Sequence, residues 1–211
     1  SSFKMKRLTE RIRYEILKHF GFFVTESSEH FAEYVPWFIK KNRNDLIEKY
    51  QIPIDEYIDR CEYSIKKWNN YSHTLKEESK FETYRSNEYA SDIIHSCVTD
   101  EPIIVNGNVI NNDLINNLPS SACVEVPCLI NNSGISPIPV GELPPQLVAL
   151  IQTNINVQQL TVEAILSRKK EHVYHAAMMD PHTAAELSID EICNLTDEML
   201  EAHGDIIPKL N

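Results

Sequence analysis

Glycine runs are missing from this sequence. Its five glycines, Gly21, Gly107, Gly134, Gly141 and Gly204, stand far apart. A dinucleotide site needs glycines clustered at a strand-to-helix turn, so that a pyrophosphate can approach the backbone. No such turn, no phosphate-cradling G-x-x-x-x-G-K loop and no G-x-S-x-G elbow can be built from these residues. Cysteine is equally thin: Cys61, Cys97, Cys123, Cys128 and Cys193 form no C-x-x-C pair. An odd, scattered set fits no disulfide framework, so a reducing cytoplasm is the expected compartment. Cys123 and Cys128 are five apart in a β-like stretch, which puts them on opposite faces and argues against a shared metal. The sequence also lacks an apolar run of about 18 residues and a secretory leader, so no membrane span is expected.

Positive charge is in deficit as well. Lys and Arg number 20 against 31 Asp and Glu, a net charge of −11 with a pI near 5.2. Such a chain repels phosphate backbones and anionic lipid, which disfavours nucleic-acid and membrane partners. The basic runs Lys66-Lys67 and Arg168-Lys169-Lys170 read as solvated helix faces. The chain opens Ser-Ser-Phe without an initiator Met, as expected of a fragment, a processed chain or one carrying a cloning remnant.

What is present is ordinary globular material, 42% hydrophobic and 24% charged. Residues 4 to 20 read as a helix with Leu8, Ile12, Ile16 and Phe20 at intervals of four, and Gly21 is placed to end it. A short helix is expected over 42 to 51. A longer one opens at Pro53 and runs to about 79, with Ile54, Ile58, Cys61, Ile65 and Trp68 as a stripe at helical spacing. Residues 85 to 99 are again helical, with Tyr89, Ile93, Ile94 and Cys97 inward. From Pro102 to Pro139 the composition turns to Val, Ile, Asn and Pro. Asn106-Gly107 reads as the type I′ turn of a hairpin, Cys123 to Ile130 as a further strand, and Ile135 to Val140 as an edge strand restricted by Pro137 and Pro139. Pro144-Pro145 begin a long helix to about Ser167. His172 to Met179 form another, and Ser188 with Glu191 fits a capping box that opens the last, to about His203. The expected class is α+β: mostly helical, with one small antiparallel sheet.

The richest stretch is Gly21 to Phe38. Ser27 or Ser28 is a natural N-cap, and a helix starting there sets His30, Glu33 and Tyr34 on one face with Glu29 alongside. An imidazole titrating near 6.5 accepts a proton at neutral pH without tuning. The same histidine also fits a purely structural role in an aromatic cluster. Tyr84 to Ala90 is the second candidate: Arg85 can fork onto a carboxylate or vicinal hydroxyls, with Asn87 and Glu88 as hydroxyl-recognising groups. Arg85 and Glu88 equally suit a simple i, i+3 ion pair. Glu125 is expected to face solvent from its strand. His172, His175 and His182 resemble a metal cluster by count, but no third ligand is placed, and zinc is not expected there.

Phe22 to Phe38, Tyr84 to Ala90, Val124 to Pro127, Val140 to Gln146 and Val173 to Pro181 resemble, in order, the C-terminal half of glycoside hydrolase family 4, near its α-galactosidase and α-galacturonidase branch. The resemblance implies a single domain over 1–211, similar to the C-terminal, substrate-facing and oligomerisation domain of the lactate/malate dehydrogenase-like fold. The family's NAD-binding Rossmann domain and its metal-ligating Cys and His would then lie outside these residues. It implies a sugar substrate of α-galactoside type, with NAD and Mn(II) as cofactors of the full-length enzyme and none bound by this chain alone. The family's route is oxidation at C3, deprotonation at C2 and elimination, outside the two-carboxylate scheme of most glycosidases. Its base at C2 would fall on His30, Glu29 or Tyr34, and Arg85, Asn87 and Glu88 match its Arg-x-x-Glu stretch. The chain alone is expected to be inactive, and the full protein to be a homo-oligomer. The alternatives are an α-galacturonidase or other family specificity, with Arg85 meeting a sugar carboxylate, or a non-enzymatic helical oligomerisation module.

Overall fold

A computed structural model describes residues 10–77, 86 and 88–211, excepting the side chains of 72–77. The chain divides into two compact units, one of residues 1–52, 104–129 and 135–211, the other of residues 53–103 and 130–134.

In the first unit, helix α1 (Arg11–Phe20) buries Ile12 and Ile16 and ends where the sequence places its stop. Gly21 adopts φ +79°, and its N–H donates to the Leu17 carbonyl at 2.9 Å. A side chain there would strain the left-handed turn, which is why glycine serves. Helices α2 (Ser28–Tyr34) and α3 (Asn44–Tyr50) follow. Ile12, Ile16, Phe31, Ala32, Val35 and Phe38 join as one buried cluster.

The second unit carries α4 (Glu56–Glu77) and α5 (Ala90–Thr99). The apolar stripe of this stretch is largely open: Ile54, Ile58, Ile65 and Trp68 are 53%, 56%, 61% and 76% exposed, and Cys61 is half-buried. Helical spacing shows that residues share a face, and says nothing of whether this chain supplies anything to cover it. On α5 the expected inward set is corrected. Tyr89, Ile94 and Cys97 are exposed, Ile93 is half-buried, and the buried position is Ser96, whose hydroxyl donates to the Ile130 carbonyl at 2.8 Å.

The three-stranded antiparallel sheet has the order β1 (Ile103–Ile110), β2 (Cys123–Asn131), β3 (Gly134–Pro137). Asn106-Gly107 makes no hairpin; β1 runs straight through it. The reason lies across the ladder. A Cβ built on Gly107 would stand 3.2 Å from the Cys128 sulfur, so the glycine serves close approach of two strands and not a turn. Along β2 the burial alternates, with Cys123 and Glu125 exposed and Val124, Val126 and Cys128 buried, so the two cysteines do face opposite ways. At the edge, β3 tolerates Pro137 as expected. The loop from β1 to β2 is organised by the fully buried Asn111. Its amide donates to the carbonyls of Ile115, Leu118 and Pro119, and its oxygen accepts from the Ile115 N–H at 2.7 Å.

Helix α6 (Pro145–Ser167) opens with proline at its first turn, and α7 (Lys170–Met179) packs along it. A short helix, α8 (Pro181–Glu186), intervenes before α9 (Ile189–His203), whose capping box of Ser188 and Glu191 is complete. Among the described residues, no helix is long and apolar enough to cross a membrane.

The Gly107–Cys128 contact is testable. Gly107→Val should destabilise the chain by about 1–3 kcal/mol through overpacking against the buried thiol. Urea denaturation should show part of that loss recovered when Cys128→Ala is added.

Candidate functional site

Helix α2 presents the candidate residues because both its ends and its back are fixed. At its start the Ser27 hydroxyl accepts from the His30 N–H at 3.4 Å, satisfying a free donor of the first turn. Its inner side is Ser28, Phe31 and Ala32, followed by Val35, all buried. Glu29, His30, Glu33 and Tyr34 are left on the outer side. The loop entering α2 is pinned by Arg13, whose Nε donates to the Val24 carbonyl at 2.9 Å while its guanidinium covers the Phe23 ring at 4.1 Å. The loop leaving it is clamped from α8: Glu186 accepts from the Lys41 N–H at 2.9 Å and pairs with the Lys40 ammonium at 3.0 Å. Those donors hold the Glu186 carboxyl below its usual range.

On the outer side, His30 Nδ1 lies 3.2 Å from Glu33 Oε2, and its Nε2 lies 3.5 Å from Glu29 Oε1. The hydrogen bond to Glu33, then the charges of Glu33, Glu29 and Glu26, raise the His30 pKa above its ordinary 6.5, outweighing some desolvation. Glu33 on Nδ1 favours a proton there and leaves the Nε2 lone pair to accept one from elsewhere. Sequence reading placed Glu33 on this face without a role; the i, i+3 spacing was its signal. Tyr34 is exposed, and its hydroxyl has no hydrogen bond to His30 or the carboxylates among the described residues. Open aromatic surface lies on the flanking loops, where Phe22, Phe23 and Trp37 are each more than two-fifths exposed.

Arg85 and Asn87 lie outside the described residues. Glu88 belongs to the second unit and is exposed, its N–H donating to the Ser86 hydroxyl at 3.3 Å. His172 and His175 stand edge to face at 5.8 Å between ring centres. Among the described residues, no three His, Cys, Asp or Glu side chains converge where a metal ion could sit.

The class of protein is given by residues 1–183, which match the Family 4 glycosyl hydrolase C-terminal domain; the chain belongs to that family. Within it, the chain is 49% identical over 200 residues to an alpha-galactosidase of Bacillus subtilis (strain 168), a match covering 95% of this chain and 46% of that protein. It therefore spans just under half the length of that relative. A 6-phospho-alpha-glucosidase from gut microorganisms, solved with NAD and Mn2+, shares the dehydrogenase-like fold with a TM-score of 0.72 at 16% identity, over 95% of this chain and 44% of that one. The 6-phospho-beta glucosidase of Thermotoga maritima, solved with manganese, NAD+ and glucose-6-phosphate, is 28% identical, covering 58% of this chain and 29% of that one with a TM-score of 0.51.

The histidine's surroundings predict a pH signature. Because the folded-state pKa is raised, the ion pairs with Glu33 and Glu29 stabilise the fold fully below the unfolded value of about 6.5, and that contribution is lost as pH rises through the folded-state value. NMR titration should place His30 above 6.5, and Glu33→Gln should bring it down and flatten the stability change across that window.

Proposed function

We propose that the full-length protein is an α-galactosidase dependent on NAD and a divalent metal, Mn(II), and that this chain is its sugar-facing domain, with His30 as the base that takes the proton from C2 of the sugar. The observation that carries the role of His30 is the orientation of its ring: Glu33 holds Nδ1, so Nε2 is the nitrogen presented outward. The raised basicity suits a group that must accept a proton near neutral pH. Glu29 beside Nε2 would stabilise the imidazolium formed by that transfer, and Tyr34 is the remaining proton-bearing group on the same helix side. Arg85, Asn87 and Glu88 are assigned to the sugar hydroxyls.

The sugar class is supported by the 49% identity to an alpha-galactosidase. The nucleotide and metal are supported by the manganese, NAD+ and glucose-6-phosphate of the Thermotoga maritima relative. Bound together, those two groups would supply hydride transfer and a Lewis acid. The described residues of this chain fit neither: no three ligands converge, and the scattered glycines offer no pyrophosphate turn. On this reading the chain holds the sugar and moves the proton. A homo-oligomer belongs to the same reading, supported by the apolar stripe that α4 leaves open.

Two experiments test it. The 211-residue chain mixed with NAD, Mn(II) and an aryl α-galactoside should give no turnover, and measurable release of the aryl group overturns that assignment. In the full-length enzyme, His30→Ala should lower kcat about 10²- to 10⁴-fold and abolish exchange of the C2 hydrogen with D₂O. Retention of exchange would move the base to Glu29 or Tyr34. An intact rate with altered assembly would instead favour the oligomerisation module.

A further inference from the structure

A cleft of about 420 Å³ opens between α1 and α3, lined by Arg11, Tyr14, Glu15, Lys49 and Tyr50. It contains none of the residues assigned to catalysis or sugar contact above. Arg11 is half-buried and donates through Nη1 to the Lys49 carbonyl; the Lys49 ammonium donates to the Tyr50 hydroxyl at 2.9 Å and lies 4.5 Å from that ring's centre. Neither cation bonds a carboxylate among the described residues. The two carboxylates that act on Lys49 through space are engaged elsewhere. Glu15 meets His19 Nε2 at 3.1 Å, and Asp45 is gripped by Arg43 through two contacts of 2.7 Å. Both cations thus line one hollow without a hydrogen bond to a carboxylate among the described residues, and Glu15, tied to His19, is the carboxylate in its lining.

The rest of the lining describes what else the occupant carries. Tyr14 is 49% exposed, and its ring is steadied edge to face against Phe23 at 5.6 Å, leaving a fixed aromatic surface at the mouth. Glu15 provides carboxylate oxygens and both tyrosines provide hydroxyls, groups suited to a polyhydroxylated body. An oxyanion alone would use the cations and nothing more. We propose that this cleft binds a small anionic sugar, its phosphate or carboxylate on Arg11 and Lys49, its hydroxyls toward Glu15 and the tyrosine hydroxyls, and one face against Tyr14. Charge-assisted hydrogen bonds from two cations give the affinity, and the aromatic surface gives the preference for a sugar over a bare ion.

Calorimetric titration of the 211-residue chain with galactose 6-phosphate, galacturonate, galactose and inorganic phosphate tests this. One or both anionic sugars should bind, with galactose and inorganic phosphate each at least tenfold weaker. Binding should weaken as salt rises. Lys49→Gln should weaken it about tenfold, and so should Arg11→Gln, with circular dichroism verifying the fold because Arg11 also holds the end of α3. Tyr14→Ala should remove the preference over inorganic phosphate, and His30→Ala should leave binding unchanged, which separates this site from the catalytic assignment. The proposal is overturned if neither anionic sugar binds, if folded Lys49→Gln binds as the parent does, or if inorganic phosphate binds as well as the sugars.

Discussion

The outward display of His30 depends on burial of the opposite side of its helix. Phe31 and Val35 are 7% and 1% exposed, in the cluster that holds Ile12 and Ile16 of α1. Burying such side chains contributes roughly 1.5–3 kcal/mol each. A seven-residue helix has little stability of its own, so this packing, with the Ser27 cap, determines whether α2 exists. Rotating it to hide His30 would expose Phe31 and bury carboxylates without partners, a far larger penalty than any gain at the imidazole. The site therefore inherits its orientation from the hydrophobic pattern, before any interaction between His30 and its neighbours is counted.

Where a local rule and its physical cause coincide, the chain was readable. Gly21 ends α1 because the left-handed turn requires it, and Ser188 with Glu191 closes the cap of α9 because the two bonds are made within one turn. The His30–Glu33 contact was legible for the same reason, since three residues of helix bring the groups together wherever the helix lies. The errors came where a local sign has a distant cause. Asn-Gly in a run of Val and Ile marks a turn when its glycine must take positive φ, but Gly107 is a strand residue whose missing side chain makes room for Cys128, twenty-one positions on. The stripe on α4 was read as a stripe, and the inward set of α5 wrongly as core. Periodicity records which residues lie together, and only the fold shows whether anything in the chain meets them.

The candidate sugar-binding stretch illustrates a further limit. Arg85, Asn87 and Glu88 were singled out by residue type and by resemblance, and no local geometry ties them to α2. Glu88 and His30 belong to different compact units. Membership of family 4 supports their assignment to one enzyme, whereas the His30–Glu33 pair stands on geometry within a single helix.

The balance of charge joins these observations. With 31 acidic against 20 basic side chains, several cations in the described structure meet a carboxylate, as Arg43, Arg60, Lys66 and Lys170 do. In that setting two places differ in opposite ways. Around His30 the excess is negative: three glutamates act on one imidazole and raise its pKa. In the α1–α3 cleft Arg11 and Lys49 stand beside one lining carboxylate, Glu15, a balance that favours an anion arriving from solution. A random scatter of acidic residues would produce the first arrangement readily. The second arrangement rests on where the nearby carboxylates bond: Glu15 to His19 and Asp45 to Arg43, while Lys49 donates to the Tyr50 hydroxyl.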